Sequence, residues 1–417
     1  MENKFLPVNP VLVVLSAGVL LFCGYACTQQ PDAKQVASSD GTGQSAKKSE
    51  LKANAPLENV SQAVPKTDVK QPAPSENTAQ AAKRHRGFTV SGLNLKNLED
   101  LKKDWNANIV RLMMVTWGND NTFNFMDEAK SGKHPKLAEW LDKAALLDIA
   151  VVLDLHDVPN RNKAKPKDGE KYNFWTDETN LNVMIEFWKE MASFCKDRKQ
   201  EIYYDILNEP LDWGAFPSYP KIWPEWSQKI INAIREVDPA HPIIVEAGPG
   251  SLCWGYKSFQ PLKGDGIIYS IHLYQPQAYT HQGITDIRNT DLAKAYLQTN
   301  QKWPGVYGDH GGGLWDKERI RVELKPAIEF QKKHNVKIYV GEFGVAKWAP
   351  QADQYLKDCI DVFEENGWDW TMHAFRESPI WSLEHDDSYD VNGKRLDNPD
   401  DCARTKAVKG YLKLNGK

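Results

Sequence analysis

The chain has 417 residues, 26% of them charged, and a formal net charge of −4 at pH 7. That balance excludes nucleic acid as an expected partner, because no basic stripe is present to meet it. The length suits one large domain or two ordinary ones, and 15 Trp and 15 Tyr give it an unusual stock of flat apolar rings.

Taken in chain order, Val11 to Phe22 is an apolar stretch behind a polar start containing Lys4, followed by Cys23-Gly24-Tyr25-Ala26-Cys27. It falls short of the roughly 20 apolar residues of a membrane span, so residues 1–27 read as an export signal. Ala26-Cys27 offers a lipoprotein cleavage point, with Cys27 as a membrane tether; an uncleaved anchor is the other option. Residues 28–85 are Ser, Gln, Ala, Lys and Pro with almost no aromatics, and read as a disordered linker that cannot bury enough apolar area to offset its entropy. The linker closes on Lys83-Arg84-His85-Arg86, expected to be a solvated boundary. Residues 86–417 form the folded domain.

In that domain strands and helices alternate. Expected strands are Phe88–Asn94, Ile109–Met114, Ala150–His156, Ile202–Asn208, Ile243–Ala247, Ile267–Tyr274, Val336–Glu342 and Trp370–Phe375. The clearest helical periodicities lie at Lys136–Leu147, Asn180–Cys195, Lys221–Val237, Lys317–His334 and Gln354–Asn366. Eight such units imply an α/β fold, a (β/α)8 TIM barrel. A doubly wound open sheet is disfavoured, since no Gly-rich phosphate loop follows the first strand. Two long connections, Gln275 to Trp315 and Arg376 to Cys402, leave strand ends where barrel enzymes hold their sites. His310 and its neighbouring glycines suggest a lipase-type oxyanion loop, but no Gly-x-Ser-x-Gly accompanies them. No HExxH, EF-hand loop or CxxC is present, so no metal and no cofactor is expected. Cys195, Cys253, Cys359 and Cys402 permit three pairings. Cys359–Cys402 is preferred, with buried free thiols as the alternative.

Two strings carry most of the chemistry: Tyr203-Tyr204-Asp205-Ile206-Leu207-Asn208-Glu209-Pro210 and Ile338-Tyr339-Val340-Gly341-Glu342-Phe343-Gly344. Each is an apolar strand that ends in a glutamate, a residue that is costly to bury. They fall on the fourth and seventh strands of eight, so in a closed barrel their carboxylates face each other across the mouth. Glycoside hydrolysis needs such a pair.

These residues resemble glycoside hydrolase family 5 and its wider clan of barrel hydrolases. Asn208-Glu209-Pro210 is similar to the family's acid/base motif, and Glu342 in Gly341-Glu342-Phe343-Gly344 to its nucleophile. Arg111 is similar to the arginine supporting the nucleophile, His156 to the strand-three histidine, and His272 and Tyr274 to the strand-six pair. The resemblance runs from Gly87 to the C-terminus. One position departs from it: where the family carries a tryptophan flooring the sugar subsite, this chain has His373, and Trp381 is expected to supply the platform from the following loop. Trp117, Trp175 and Trp213 also follow strands at the upper face, as sugar platforms or as loop anchors. Trp140, Trp223 and Trp226 lie in helical patterns and are expected in the outer core.

The resemblance implies an exported, retaining β-glycosidase, monomeric, acting on an oligo- or polysaccharide, most readily β-1,4-glucan. Glu209 donates the proton, Glu342 attacks, and Asn208 binds the sugar 2-hydroxyl. Mannan, β-1,3-glucan or a glycoconjugate are the alternative substrates. A silent surface carbohydrate-binding protein is the rival from another class, disfavoured because a binder has no use for a repulsive carboxylate pair.

Overall fold

A computed structural model describes residues 83–114, 134–159, 161, 173–284, 299–390 and 393–416. The expected leader with Cys27, residues 28–82 of the linker and Trp117 lie outside these residues. Among the described residues no helix is long and apolar enough to cross a membrane.

Eight parallel strands close into a barrel: β1 (Arg86–Ser91), β2 (Ile109–Met114), β3 (Ala150–Leu155), β4 (Ile202–Asp205), β5 (Ile243–Glu246), β6 (Ile267–Leu273), β9 (Lys337–Phe343) and β10 (Asp369–Met372). Each neighbours the next in sequence order, and β1 pairs with β10 to seal the ring. All eight expected strands are present. The ends differ at the upper face. β4 stops at Asp205 and β10 at Met372, short of the expected Asn208 and Phe375, because the chain leaves the ladder there to present Asn208, Glu209 and His373. β1 stops at Ser91 rather than Asn94, since Asn94 instead caps helix α1 (Leu95–Lys103) through its side chain.

The outer layer holds the five expected helices: α2 (Pro135–Leu146), α3 (Glu178–Cys195), α4 (Trp223–Val237), α6 (Lys317–His334) and α7 (Ala352–Glu365). Asp177 and Asp316 cap α3 and α6 by accepting backbone N–H bonds. Helices α1 and α8 (Ala403–Leu412) were not legible, being short and largely polar. The loop after β6 carries a short helix α5 (Gln277–Thr280) and an antiparallel hairpin of β7 (Gly305–Tyr307) and β8 (Gly313–Trp315). The His310 segment is the turn of that hairpin, with His310 Nδ1 2.7 Å from Glu323. Trp140, Trp223 and Trp226 are buried in the layer between helices and barrel, as expected.

The four cysteines are buried free thiols, so the preferred Cys359–Cys402 pairing is not formed. Cys253 accepts the Ala327 N–H, while burial pushes the Cys195 thiol up to about 12. The basic boundary is also corrected: it is a clamp on the lower rim, not a solvated edge. Arg86 forks onto Glu364 at 2.7 and 2.8 Å, and buried His85 lies between Asp369 and Glu201. Burial alone would lower the His85 pKa, but those two carboxylates outweigh it and raise it to about 9. The packed domain therefore begins before residue 86.

Along a strand, alternate side chains enter the barrel. The lower interior layer is apolar, with Ile109, Ala150, Val152, Tyr203, Ile244 and Tyr339 packed together. Two residues further along the same strands stand Arg111, Asp154, Asp205 and Glu246, all fully buried. The barrel is filled by an apolar floor and then a charged layer, and the site rests on top of it.

Candidate active site

Arg111 organises that layer. Its Nε meets Asp205 Oδ2 at 3.0 Å, Nη2 meets Asp154 Oδ1 at 3.0 Å and Glu246 Oε1 at 3.1 Å, and Nη1 meets Glu342 Oε1 at 2.8 Å. A planar five-donor fork is the side chain that can serve several carboxylates at once. It also donates to Asn208 Oδ1 at 3.0 Å, which turns the amide nitrogen of Asn208 away from the guanidinium. Asp154 supports its neighbours: it holds Arg111 and lies 2.7 Å from His156 Nδ1, leaving His156 Nε2 outside that contact.

Glu342 sits on β9 with both oxygens engaged. Arg111 holds Oε1, and the Tyr274 hydroxyl donates to Oε2 at 2.8 Å. Burial would raise its pKa, but His272, His373, Arg111 and His156 together hold the carboxyl far below the usual range. Glu342 is the anion of the site. Glu209, 1% exposed, differs. Its Oε1 lies 2.9 Å from His272 Nδ1, while Oε2 is buried with no hydrogen-bond partner among the described residues. Burial, with the charges of Glu342 and Glu246 added, raises its pKa against the lowering effect of His272. Two carboxyls in one cavity are thus driven apart in protonation, the pattern that assigns an acid and a base. An oxygen of Glu209 and an oxygen of Glu342 lie within 4.8 Å of each other and of a His272 nitrogen.

That trio is compact enough for a cation, yet apart from Glu209 Oε2 its donor atoms already face charged or hydrogen-bonding groups. Glu342 is held by Arg111 and Tyr274, and both His272 nitrogens face carboxylates, Glu209 at 2.9 Å and Glu246 at 3.2 Å. With an imidazole kept protonated between two carboxylates, the set does not suit a metal.

His272 reaches this position through a local irregularity. The β6–β9 register shifts after Ile271, so that His272 pairs with Glu342 and Gly341 becomes the extra residue. A Cβ on Gly341 would lie 2.8 Å from His272 Nε2 and 2.9 Å from Ser270 Oγ. Gly341→Ala is therefore expected to displace His272, and to cost kcat about tenfold or more while Tm falls by only a few degrees. Steady-state kinetics beside thermal melting checks this; unchanged kcat would contradict it.

The strand-eight departure takes a polar role. His373 is buried, with Nδ1 3.6 Å from Glu342 Oε2 and Nε2 3.4 Å from Glu377 Oε2. Burial would lower its pKa, but the charges of Glu342 and Glu377 raise it. Trp381 stands beside it, ring centroids 5.9 Å apart, and contacts Tyr274 at 5.8 Å and His281 at 5.1 Å. The loop carrying Trp381 is tied down by the Lys347 N–H to Ile380 O bond and by Arg376, which forks onto Glu384.

Of the other tryptophans, Trp175 is an anchor, not a platform: it donates to Leu211 O at 2.7 Å and packs on Trp223 and Trp226. Trp213 is 45% exposed on the loop after Glu209, beside Phe216. Sequence reasoning missed Glu246 and Glu377. Glu246 had a signal, since Ile243-Ile244-Val245-Glu246 repeats the apolar run ending in glutamate seen in the two chosen strings. Glu377 had none.

The family model described as Cellulase (glycosyl hydrolase family 5) matches residues 73–378. Endoglucanase C of Acetivibrio thermocellus is 26% identical over 245 residues, covering 54% of this chain and 67% of that protein. Endoglucanase 3 of Fibrobacter succinogenes is 24% identical over 306 residues, 68% of this chain and 43% of its own length. Among solved structures, a hyperthermophilic endo-β-1,4-glucanase with substrate superposes with a TM-score of 0.57 at 20% identity, covering 78% of this chain and 96% of that one. The cellulose synthase subunit Z of Clostridioides difficile gives 0.58 at 20% identity, covering 78% and 99%.

Proposed function

This chain belongs to the cellulases of glycosyl hydrolase family 5, and from that premise we propose that it hydrolyses β-1,4-linked glucan with retention of configuration. The observation carrying the reading is the pair of buried carboxyls, oxygens within 4.8 Å, with the pKa of Glu342 pushed down and that of Glu209 pushed up. Oxygens that close favour the retaining arrangement, with roughly 5–5.5 Å between the groups, over the inverting one at about 6.5–9.5 Å, which leaves room for a water.

In this reading an oxygen of Glu342 attacks the anomeric carbon as the glycosidic C–O bond breaks. The leaving oxygen takes the proton from Glu209. Glu342 is then an ester and no longer repels Glu209, which becomes more acidic and accepts a proton from the water that releases the sugar. Arg111 and Tyr274 orient Glu342, Asn208 offers its amide to the 2-hydroxyl, and Trp381 supplies an apolar face beside the reacting sugar. The endoglucanase names of the relatives favour glucan over mannan. A panel of cello-, manno- and β-1,3-gluco-oligosaccharides tests this: kcat/KM is expected to be highest for cello-oligosaccharides by at least about tenfold. A preference for either other series would overturn the substrate, and binding without release would favour a silent carbohydrate binder.

A further inference from the structure

Among the described residues, Glu246 is the one fully buried glutamate at the barrel mouth with no part in the mechanism above. It ends β5, next to the acid/base strand. Its contacts converge on one target. Oε2 accepts the backbone N–H of Glu209 at 2.6 Å and the Ser251 hydroxyl. Oε1 accepts Arg111 Nη2 at 3.1 Å and faces His272 Nε2 at 3.2 Å. The other nitrogen of that imidazole, Nδ1, lies 2.9 Å from Glu209 Oε1.

Glu209 needs such support. Its backbone sits at φ 45°, the left-handed region that a non-glycine residue keeps only where its surroundings hold it there. Glu246 holds the N–H side of that residue, and Arg161 donates to its carbonyl at 2.5 Å.

We propose, resting on the hydrolase reading, that Glu246 is a positioning residue for the acid/base. It grips the Glu209 backbone on one side and faces His272 Nε2 at ion-pair distance, 3.2 Å, on the other, so that Glu209 Oε1 accepts from His272 and Oε2 carries the proton. With Glu246 ionised, its carboxyl held down to about 2 by His272, Arg111 and Ser251 against the effect of burial, His272 keeps a proton on each nitrogen. An imidazolium can only donate to Glu209 Oε1. The acid proton is thereby confined to Oε2, the Glu209 oxygen with no hydrogen-bond partner among the described residues. Without Glu246, His272 loses its second carboxylate, can become a neutral acceptor, and draws the Glu209 proton to Oε1, away from the substrate.

The step at stake is protonation of the leaving group, so its dependence on leaving-group basicity is the readout. In Glu246→Gln, kcat/KM for an unsubstituted phenyl β-cellobioside is expected to fall about a hundredfold or more, the scale of general acid catalysis. For the dinitrophenyl analogue, whose phenolate departs without a proton, the fall is expected to stay within about tenfold. Nitrogen NMR should find His272 doubly protonated in the wild type at neutral pH and singly protonated in the variant. Equal losses on both substrates, or no loss on either, would overturn the assignment. Should Glu246→Gln not fold, Glu246→Asp keeps the charge on a shorter arm and is expected to show the same selective loss, reduced in size; a uniform loss there would count equally against it. Failure of the hydrolase reading looks different, as no phenol release from either glycoside by the wild type, and it would remove this inference too.

Discussion

Glu342→Gln is expected to abolish hydrolysis of every substrate, whereas Glu209→Gln should abolish it selectively. The nucleophile forms and breaks a covalent bond, so no leaving group compensates for its loss. The acid assists only departures that need a proton. Glu209→Gln should lower kcat/KM on cello-oligosaccharides by about 10²–10⁴, the range for general acid–base catalysis, yet retain much of the glycosylation rate on a dinitrophenyl glycoside. The alkaline limb of the wild-type profile has a sign to match. Activity requires Glu209 protonated, and burial with the charges of Glu342 and Glu246 raises its pKa, so kcat/KM falls as pH rises through that value. Glu209→Gln should remove the limb. Kinetics across pH on the two substrate classes measures all three; equal behaviour of the two variants would contradict the division of roles.

Arg111→Met is expected to cost the fold as well as the reaction. Arg111 is fully buried and meets Asp154, Asp205, Glu246 and Glu342 within 3.1 Å. Removing one partner of a buried ionic network leaves charges uncompensated and typically costs about 3–5 kcal/mol, far above the 0–1 kcal/mol or so of an exposed pair. Lysine is no remedy, being a point charge without the fork. Loss of the guanidinium also lets the Glu342 pKa rise, so the nucleophile is protonated at higher pH and the acidic limb of kcat/KM should move upward in whatever variant folds. Denaturant unfolding with pH-dependent kinetics checks both; a variant as stable as the wild type would show that the four carboxylates do not depend on Arg111.

The barrel was legible because its strands are continuous apolar runs and its longer helices have a clear three-to-four period. Those patterns are set by burial, which acts residue by residue. The two glutamates proposed to be catalytic were legible for the opposite reason: each breaks its pattern at a strand end. Glu246 breaks the same pattern and was passed over, because only three-dimensional closure shows it bonded to the Glu209 backbone and facing His272. Asn94 read as strand, although its side chain caps α1; an Asn after a glycine turn serves either purpose until the next helix is placed. Lys83-Arg84-His85-Arg86 read as solvent-exposed, since charge alone does not reveal that Glu364, Asp369 and Glu201 wait on the lower rim. His373 reads as a departure at the end of the last barrel strand, but that it lies between Glu342 and Glu377 depends on a loop whose path no periodicity encodes.

The central claim is that Glu342 becomes covalently bonded to the sugar while Glu209 exchanges the proton. Trapping that ester is the most direct measurement. A β-glucoside inactivator, fluorinated beside the anomeric carbon and bearing a good leaving group, should label the chain once, and peptide mass spectrometry should find the sugar on Glu342. A label on any other residue, or turnover that releases the inverted anomer with no ester formed, would contradict it.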